Sequence, residues 1–422
     1  MNVRQIINKF GTAVLFGLFG TVLMGSVAMA DFAPGVTVTE DANSPTGYTA
    51  TFVYEDAEAS EVKLLGTFSF YESGGDAGVI PEKFYGPEEW KPDMFRASFG
   101  DAGAWQGDMV KEEGSDYWTI SIPLPGGHYQ YFYNVDGAEE NIPDPANMPI
   151  TSEVENGGRT GTSTFDVPYN EEKHGGIDWS FIVPREDTEK GEYSFVNYED
   201  INGDTRVLGV YLPAGYDAQA ETPYNVFYLT HGGGGNETEP FNQGNVDVIF
   251  DNLIADGEVA PTIIVTMNNT VYSWDYDVIN KNLMECIIPY IEKNYNVKAD
   301  ASGRAFAGIS MGAMTASNVY YAHPDAFGYI GIFCGADASV DLTALDLKKL
   351  SMPDLLVGGG IYDGAYMNDS YQTEEDRSTV GLMDHLDELG LPYMAHVPKG
   401  GHDYASTWPQ LIRVFATKVL WK

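Results

Sequence analysis

Cysteine and basic residues are scarce in this chain of 422 residues, which has two cysteines and 23 lysines and arginines against 62 aspartates and glutamates. Cys286 and Cys334 are too few for a disulfide framework or a structural zinc site. We expect two buried thiols, with a bridge between them, which export would permit, as the alternative. The formal net charge of −39 argues against nucleic acid and anionic membrane surfaces as partners, because both need basic patches. We interpret the acidity as solvation of the surface, which indicates nothing about the fold.

Long apolar runs are also missing, and the run at residues 13–24 is short for a membrane helix. The basic residues Arg4 and Lys9 precede it, and Ala28-Met29-Ala30 follows it with the small residues of a cleavage site. Residues 1–30 are therefore predicted to be a secretion signal peptide cleaved after Ala30, with an uncleaved anchor as the alternative. The predicted localisation is secreted, either extracellular or periplasmic, with no membrane contact after cleavage.

Residues 31–168 have the pattern of an all-β region. Short runs rich in aromatic and β-branched residues alternate with turn signals such as Gly126-Gly127 and Asp136-Gly137, which favours an immunoglobulin-like β-sandwich. The strand-like runs are 48–54, 61–68, 117–122 and 128–135. Residues 71–115 are irregular and rich in glycine and acidic residues, so we expect a surface excursion there.

The pattern changes after a polar stretch at residues 169–190, which contains Gly175-Gly176 and Pro184 and is predicted to be a linker or docking segment. Over residues 191–422, apolar strand-like runs alternate with helical segments, which is typical of a mostly parallel sheet flanked by helices. The expected strands are 193–198, 206–212, 225–230, 262–267, 304–309, 328–333, 354–358 and 393–397. The expected helices are 277–295, 311–322, 374–389 and 407–420.

A G-x-S-x-G motif, Gly308-Ile309-Ser310-Met311-Gly312, stands between an expected strand and an expected helix. This order is that of the nucleophile elbow of α/β-hydrolases, in which a serine on a tight turn exposes its hydroxyl above the sheet. The motif alone is weak because glycine and serine are common, and a Gly/Ser loop is the alternative. Ser310 becomes the candidate nucleophile through its partners further along the chain.

His402 is the candidate general base, in a glycine-rich loop after the last expected strand. A catalytic serine needs a base that takes the hydroxyl proton and an acid that holds this base in the right tautomer. In α/β-hydrolases the two follow the serine in the order acid, then histidine. Asp363, after the strand at 354–358, is the preferred acid; Asp369 competes with it and Asp376 is weaker.

A second glycine-rich loop, residues 231–235, follows the expected strand 225–230 and reads His-Gly-Gly-Gly-Gly. In this type of loop, glycines let backbone N–H groups approach a ligand, so Gly233 and Met311 are the candidate oxyanion donors. The loop lacks the GK[ST] ending of a phosphate-binding loop, and no nucleotide, metal or organic cofactor is predicted. His231 is expected to be structural.

Residues 191–422 resemble the feruloyl and acetylxylan esterases of carbohydrate esterase family 1, in the esterase D-like group. The resemblance covers nearly the whole region and rests on pieces such as "YNVFYLTHGGGGNE", "RAFAGISMGAMTA" and "GGHDYASTWPQLIRVF". It implies an α/β-hydrolase fold, a triad of Ser310, Asp363 and His402, and an ester substrate on xylan or arabinoxylan. Ferulate is the preferred acyl group. An acetylxylan esterase or a general short-acyl esterase is the alternative, and hydrolysis of a siderophore ester is a more distant one.

Aromatic side chains near the expected site loops are candidates for holding a phenolic acid or a sugar, with ordinary packing as the alternative. These candidates are Tyr272, Trp274, Tyr404 and Trp408.

Residues 31–168 resemble the early-set modules of carbohydrate enzymes, especially family 48 carbohydrate-binding modules, through "VKLLGTF", "YWTISIPLPGGHYQYFYNVDG" and "IPDPANMP". Such modules stack aromatic rings on sugars, which makes Trp90, Trp105 and Trp118 candidates by residue type, although we expect Trp118 in the core. A glycan-binding protein with weak or no catalysis is therefore the alternative of another class, and the intact Ser–Asp–His order argues against it. The sequence leaves the oligomeric state open.

Overall fold

The structure is a computed structural model that describes residues 33–152, 161–337, 352–364, 367 and 378–422. The predicted signal peptide and the competing acids Asp369 and Asp376 lie outside the described residues. Both the all-β region and the α/β region belong to one compact unit, Pro34–Lys422. None of the helices in the described ranges is long and apolar enough to cross a membrane.

The all-β region consists of two four-stranded antiparallel sheets, ordered β1-β2-β8-β7 and β10-β9-β3-β6, together with a short pair formed by β4 and β5. Its strands are β1 Gly35–Glu40, β2 Tyr48–Glu55, β3 Val62–Gly66, β4 Phe70–Tyr71, β5 Phe95–Arg96, β6 Trp105–Asp108, β7 Val110–Lys111, β8 Tyr117–Pro123, β9 Gly127–Val135 and β10 Ser163–Val167. The first helix, α1, is Phe99–Ala102. The prediction of an all-β region ahead of the hydrolase fold is confirmed.

Aromatic rings fill the space between the two sheets. Phe52 of β2 lies 5.1 Å from the ring of Tyr131 and 5.3 Å from that of Phe165, and both contacts are edge-on. Because side chains alternate across a strand, Tyr129, Tyr131 and Tyr133 of β9 all point into this core. Burying such rings provides most of the stabilisation of a small sandwich.

The segment 71–115 is not the surface excursion that we expected. Tyr71, Trp90 and Phe95 are buried, and Tyr71 packs edge-on against Tyr362 of the α/β region at 5.5 Å. The expectation was wrong because it weighed the glycine and acidic content of the segment and not its well-spaced aromatic residues. The segment instead supplies β5, β6 and β7 and packs in part against the α/β region.

The α/β region is built on one eight-stranded sheet in the order β11-β12-β14-β13-β15-β16-β17-β18. The pairings from β14 to β18 are parallel, and β11 and β12 are joined antiparallel at one edge. Its strands are β11 Glu192–Glu199, β12 Thr205–Leu212, β13 Asn225–Thr230, β14 Thr262–Met267, β15 Arg304–Ile309, β16 Tyr329–Phe333, β17 Asp354–Gly358 and β18 Met394–His396. All eight predicted strands are confirmed, as is the α/β-hydrolase fold class.

Helices cover both faces of this sheet. They are α3 Glu239–Asn242, α4 Val246–Ala255, α5 Tyr276–Asn282, α6 Ile288–Asn294, α7 Met311–Ala322, α8 Thr379–Leu389 and α9 Thr407–Val414, with π-helical turns at Leu283–Ile287 and Phe415–Val419 and 3₁₀ turns at Ser180–Ile182, Thr270–Tyr272 and Ala301–Gly303. The short helix α2, Glu171–His174, and a 3₁₀ turn at Pro87–Glu89 lie instead against the all-β region. Residues of β13 alternate between two cores, with Phe227 and Leu229 on one face and Val226 and Tyr228 on the other. A strand buried on both faces is why this stretch is apolar throughout.

The segment 169–190 docks onto the α/β region. Phe181 and Ile182 are buried in the core that covers one face of the large sheet. The side-chain amide of Asn252 on α4 donates to the carbonyls of Phe181 at 3.0 Å and Val183 at 2.9 Å. These contacts fit a docking segment better than a flexible linker.

Candidate active site

Ser310 lies at the tight turn between β15 and α7. Its backbone has φ 58° and ψ −121°, a conformation that residues other than glycine rarely adopt, and such strain is concentrated at functional sites. The Ser310 N–H donates to the carbonyl of Phe333 at 2.9 Å, which ties the turn to the neighbouring strand. A Cβ atom at Gly308 would lie 2.1 Å from the carbonyl oxygen of Gly312, so only glycine allows strand and helix to approach this closely.

Asp363 and His402 meet above the end of the sheet. Nδ1 of His402 donates to Oδ2 of Asp363 at 2.8 Å, where the aspartate is fully buried and the histidine is partly exposed. With its proton on Nδ1, a neutral imidazole carries its lone pair on Nε2, which is the nitrogen a general base uses. A Cβ atom at Gly360 would lie 2.3 Å from the carbonyl oxygen of Gly400, so glycine lets the two loops pack together.

Cys334 lies beside this pair as a third potential metal ligand. One donor atom each from Cys334, Asp363 and His402 lies within 4.8 Å of the others, and Cys334 is fully buried. Two ligands of one tetrahedral zinc ion, at about 2.0 Å from the metal, would lie roughly 3.3 Å apart. The 2.8 Å separation of Nδ1 and Oδ2 therefore fits a hydrogen bond and not a shared metal ion. Cys286 is partly exposed, so the expectation of two buried thiols is correct for Cys334 alone.

The glycine-rich loop after β13 lies against the elbow. A Cβ atom at Gly232 would be 3.4 Å from Cβ of Ser310, and one at Gly233 would be 2.8 Å from Sδ of Met311. The N–H of Met311 is at the first residue of α7, where helix N–H groups lack partners within the helix and favour negative charge. The glycine-rich loop and the start of α7 therefore both adjoin Ser310.

His231 serves to hold this loop. The residue is fully buried, and its Nε2 accepts from the N–H of Asn269 at 3.1 Å while Nδ1 donates to the carbonyl of Gly232 at 2.6 Å. Both ring nitrogens are thus used in fixing backbone groups. This arrangement agrees with a structural role for His231.

Ser310 and His402 line one cleft, with a volume of about 260 Å³. Gly233, Tyr404 and Glu239 line it from the α/β region. The remaining wall comes from the all-β region and consists of Thr67, Ser98, Phe99, Gly100 and Gln130. Sequence reasoning missed this wall because it depends on how the two regions pack, and the motifs indicate only the α/β side.

Of the aromatic candidates, Tyr404 alone lines this cleft. Trp408 is fully buried in the core, and Tyr272 is buried with its hydroxyl donating to Oδ2 of Asp200 at 3.0 Å. Trp274 is half-buried and packs edge-on against His231 at 5.6 Å. Tyr272 and Trp408 are thus taken up by packing, whereas substrate contact by the half-buried Trp274 stays a prediction.

Fold and site geometry place the chain in the α/β-hydrolase class, with a strained serine at the strand–helix turn and an aspartate–histidine pair in the same cleft. The chain belongs to the Esterase family, whose model, described as "Putative esterase", matches residues 199–415.

Among curated proteins, the chain is 31% identical over 247 residues to the "Endo-1,4-beta-xylanase/feruloyl esterase" of Xylanibacter ruminicola. The match covers 55% of this chain and 32% of that protein, so the chain spans about a third of the relative's length. Together with the family model, it confirms the predicted resemblance to feruloyl esterases. The resemblance of residues 31–168 to carbohydrate-binding modules stays a prediction.

Two solved structures are similar to this chain. The ferulic acid esterase of Anaeromyces mucronatus is 22% identical, with a TM-score of 0.48, and the match covers 58% of this chain and 96% of that chain. The enterobactin esterase of Shigella flexneri is 14% identical, with a TM-score of 0.52, and the match covers 95% of this chain and 99% of that chain. The second likeness is one of fold alone, and it extends over the all-β region as well as the α/β region.

Proposed function

We propose that this protein hydrolyses carboxylic esters through a triad of Ser310, His402 and Asp363. The observation that carries the proposal is the 2.8 Å hydrogen bond from His402 to a buried Asp363, in the cleft that also holds Ser310. The backbone N–H groups of Met311 and Gly233 are the proposed oxyanion donors. The order of the three side chains along the sequence is that of α/β-hydrolases.

The proposed reaction has two halves. Oγ of Ser310 attacks the ester carbonyl carbon while Nε2 of His402 takes the hydroxyl proton, and the oxyanion accepts from the N–H groups of Met311 and Gly233. The bond to the alcohol then breaks, the alcohol leaves with the proton held by His402, and an acyl-enzyme remains. Water, deprotonated by His402, attacks the acyl carbonyl and releases the acid, while Ser310 recovers its proton.

The proposed substrate is an acylated plant cell-wall polysaccharide, most favourably ferulate on xylan or arabinoxylan. Support comes from the relative named as a xylanase and feruloyl esterase and from the polar and aromatic side chains around the cleft. An acetylxylan esterase or a short-acyl esterase uses the same triad, so the acyl group is the part that an assay must decide. Export through the N-terminal segment 1–30 belongs to this proposal, because a polysaccharide substrate lies outside the cell.

The test is product release from methyl ferulate and from acetylated xylan, measured side by side for the wild type and Ser310→Ala. We expect ferulate release that falls on the order of 10³-fold or more in the variant, because the nucleophile is lost. Ser302→Ala, an exposed serine on a 3₁₀ turn, is the matched control and should match the wild type.

Other outcomes separate the alternatives. Release of acetate alone would indicate an acetylxylan esterase. Hydrolysis that persists in Ser310→Ala would contradict the assignment of the triad. Retention on insoluble xylan by the wild type and Ser310→Ala alike, with no hydrolysis of either ester, would favour the glycan-binding alternative.

A further inference from the structure

One wall of the cleft belongs to the all-β region, and strand β9 contributes to this wall. Tyr129 and Tyr131 of β9 point into the sandwich core, so the side chains between and beside them point to the opposite face. On that face His128 donates from Nε2 to the carbonyl of Asn242 at 2.9 Å, which fastens the strand to the α/β region. Gln130, two residues along, lines the cleft that holds Ser310.

Gln130 is held rigidly in this wall. Its backbone N–H donates to Oγ1 of Thr67 at 3.1 Å, and its side-chain Oε1 accepts from Oγ1 of Thr162 at 3.1 Å. With Oε1 fixed by Thr162, the amide nitrogen Nε2 has no hydrogen-bond partner among the residues that the structure describes. Gln130 is 8% exposed and lines the cleft, and its Nε2 donor is not used within the described residues. Such a donor is suited to bind an oxygen atom of a ligand.

The α/β side of the cleft supplies an acceptor. Glu239, at the start of α3, lines the cleft together with Gln243, and its carboxylate accepts from the hydroxyl of Tyr404 at 3.2 Å and from the amide of Gln243 at 3.1 Å. Asp403 also lines the cleft, but its carboxylate accepts from the backbone N–H groups of Gly401, Ser406 and Thr407. No lysine or arginine is among the described residues that line the cleft. Carboxylates repel anionic ligands and accept hydrogen bonds from hydroxyl groups.

We propose that Gln130 binds the glycosyl part of the ester substrate, so that the all-β region contributes a specificity-determining residue to the active site. The inference rests on the proposed ester hydrolysis and deepens it, because it makes the alcohol component a neutral, hydroxyl-rich sugar. Nε2 of Gln130 donates to one sugar oxygen, and the carboxylate of Glu239 accepts from a sugar hydroxyl.

The test compares two ferulate esters that differ only in the alcohol: methyl ferulate and feruloylated arabinose. In Gln130→Met, which keeps the length of the side chain and removes the donor, we expect kcat/KM for the arabinose ester to fall about 5- to 10-fold, the worth of one hydrogen bond. The loss should be in KM, since the contact is made equally in the bound and transition states. Hydrolysis of methyl ferulate should change less than about 2-fold, because it lacks the sugar that this contact binds.

Two further variants distinguish a folding defect from the loss of the contact between Gln130 and the sugar. Gln106→Met changes an exposed glutamine of β6 in the same all-β region and should leave both esters unaffected. Gln130→Glu keeps the shape of the side chain but replaces the donor by an acceptor, so it should show the same selective loss even if the methionine variant folds poorly. The melting temperature of each variant is measured alongside.

Equal losses on both esters in a stably folded Gln130→Glu, or no loss on either, would overturn the inference. A wild type that cleaves methyl ferulate but not feruloylated arabinose would also overturn it while leaving the proposed esterase standing. If the wild type releases no ferulate, the proposed acyl group fails. The pair 4-nitrophenyl acetate and acetylated xylo-oligosaccharide then tests Gln130 in the same way.

Discussion

The all-β region and the α/β region contribute different parts of the candidate site. The α/β region supplies Ser310, Asp363 and His402 from loops at the ends of three strands, whereas the all-β region supplies a wall of the cleft. Their cores differ as well: the all-β core is built mainly from aromatic rings, and Trp90 and Trp118 are buried in it. Trp90 and Trp118 therefore serve packing, whereas the partly buried Trp105 stays a candidate for stacking on a sugar.

Contacts between the two regions converge on the loops that hold the candidate triad. The N–H of Gly74 donates to the hydroxyl of Tyr362, next to Asp363, at 2.9 Å. The buried Arg96 donates to the carbonyl of Ala405, three residues after His402, at 2.6 Å. The all-β region thus braces both the acid loop and the base loop, which is a role that a detachable binding module would not need.

The largest effect on activity is expected from replacing Asp363, the candidate triad acid of the α/β region. Asp363→Asn should lower kcat on the order of 10⁴-fold, because an asparagine amide can hold the histidine in the wrong tautomer. Asp369→Asn is the matched control and should keep nearly full activity in the same ester assay. The reverse result, with activity lost in Asp369→Asn and kept in Asp363→Asn, would move the acid to the competing residue.

The next largest effect is expected on stability, from the hydrogen bonds that Asn242 makes between the two regions. The side-chain amide of Asn242 donates to the carbonyl of Thr162 at 3.0 Å and accepts from the N–H of Ile150 at 3.3 Å. Asn242→Leu leaves both groups without partners and should lower the free energy of unfolding by about 2–4 kcal/mol. Urea unfolding followed by tryptophan fluorescence measures it.

Asn294→Leu is the control for this comparison, because Asn294 is exposed at the end of α6, and its change should stay within about 0.5 kcal/mol. Equal losses in the two variants would show that the contact between the regions adds no stability.

A smaller effect is expected where the all-β region contacts the acid loop. Tyr362→Phe removes the hydroxyl that accepts from Gly74 and should cost about 1 kcal/mol of unfolding free energy. Urea unfolding checks the stability, and ester assays should show a severalfold drop in kcat if the loop loosens. Unchanged kcat with the expected loss of stability would limit the contact to packing.

The smallest effect is a pH dependence at His174, in the docking segment. Burial lowers the pKa of His174 below its ordinary value of 6.5, against the opposing effect of the hydrogen bond to the carbonyl of Thr46. Nδ1 accepts from the N–H of Asn170 at 3.1 Å, which requires the neutral ring. As the pH falls below the unfolded pKa, the unfolded chain takes up the proton first, so this stability is present above about pH 6.5 and is lost as the pH falls through the folded pKa.

Thermal unfolding between pH 7.5 and pH 5 checks this dependence. His174→Gln should lose less stability on acidification than the wild type, since it has no group to protonate at this position. Parallel pH curves for the two proteins would contradict the assignment.

Much of the α/β region could be predicted from the sequence because its signals are local. Apolar runs between helical segments mark the strands, and the glycines around Ser310 mark a turn that admits no larger residue at Gly308. The order of Ser310, Asp363 and His402 followed from the same local reasoning and from the strand ends that precede them.

The contacts between regions could not be predicted in this way. Gln130 reaches the cleft because β9 alternates and because its outer face meets α3, and the second condition is a matter of tertiary packing. Trp408 was expected near substrate from its closeness in sequence to His402, but the helical face it occupies points into the core. Position along the chain indicates which loop a residue belongs to, and packing decides which way it faces.

The most direct test of the central claim is covalent labelling of the full chain with a fluorophosphonate, followed by intact mass and peptide mapping. We predict a single adduct on Ser310, absent in Ser310→Ala and formed far more slowly in His402→Ala. An adduct at another residue, or labelling of Ser310→Ala at the wild-type rate, would contradict the assignment of Ser310 as the nucleophile.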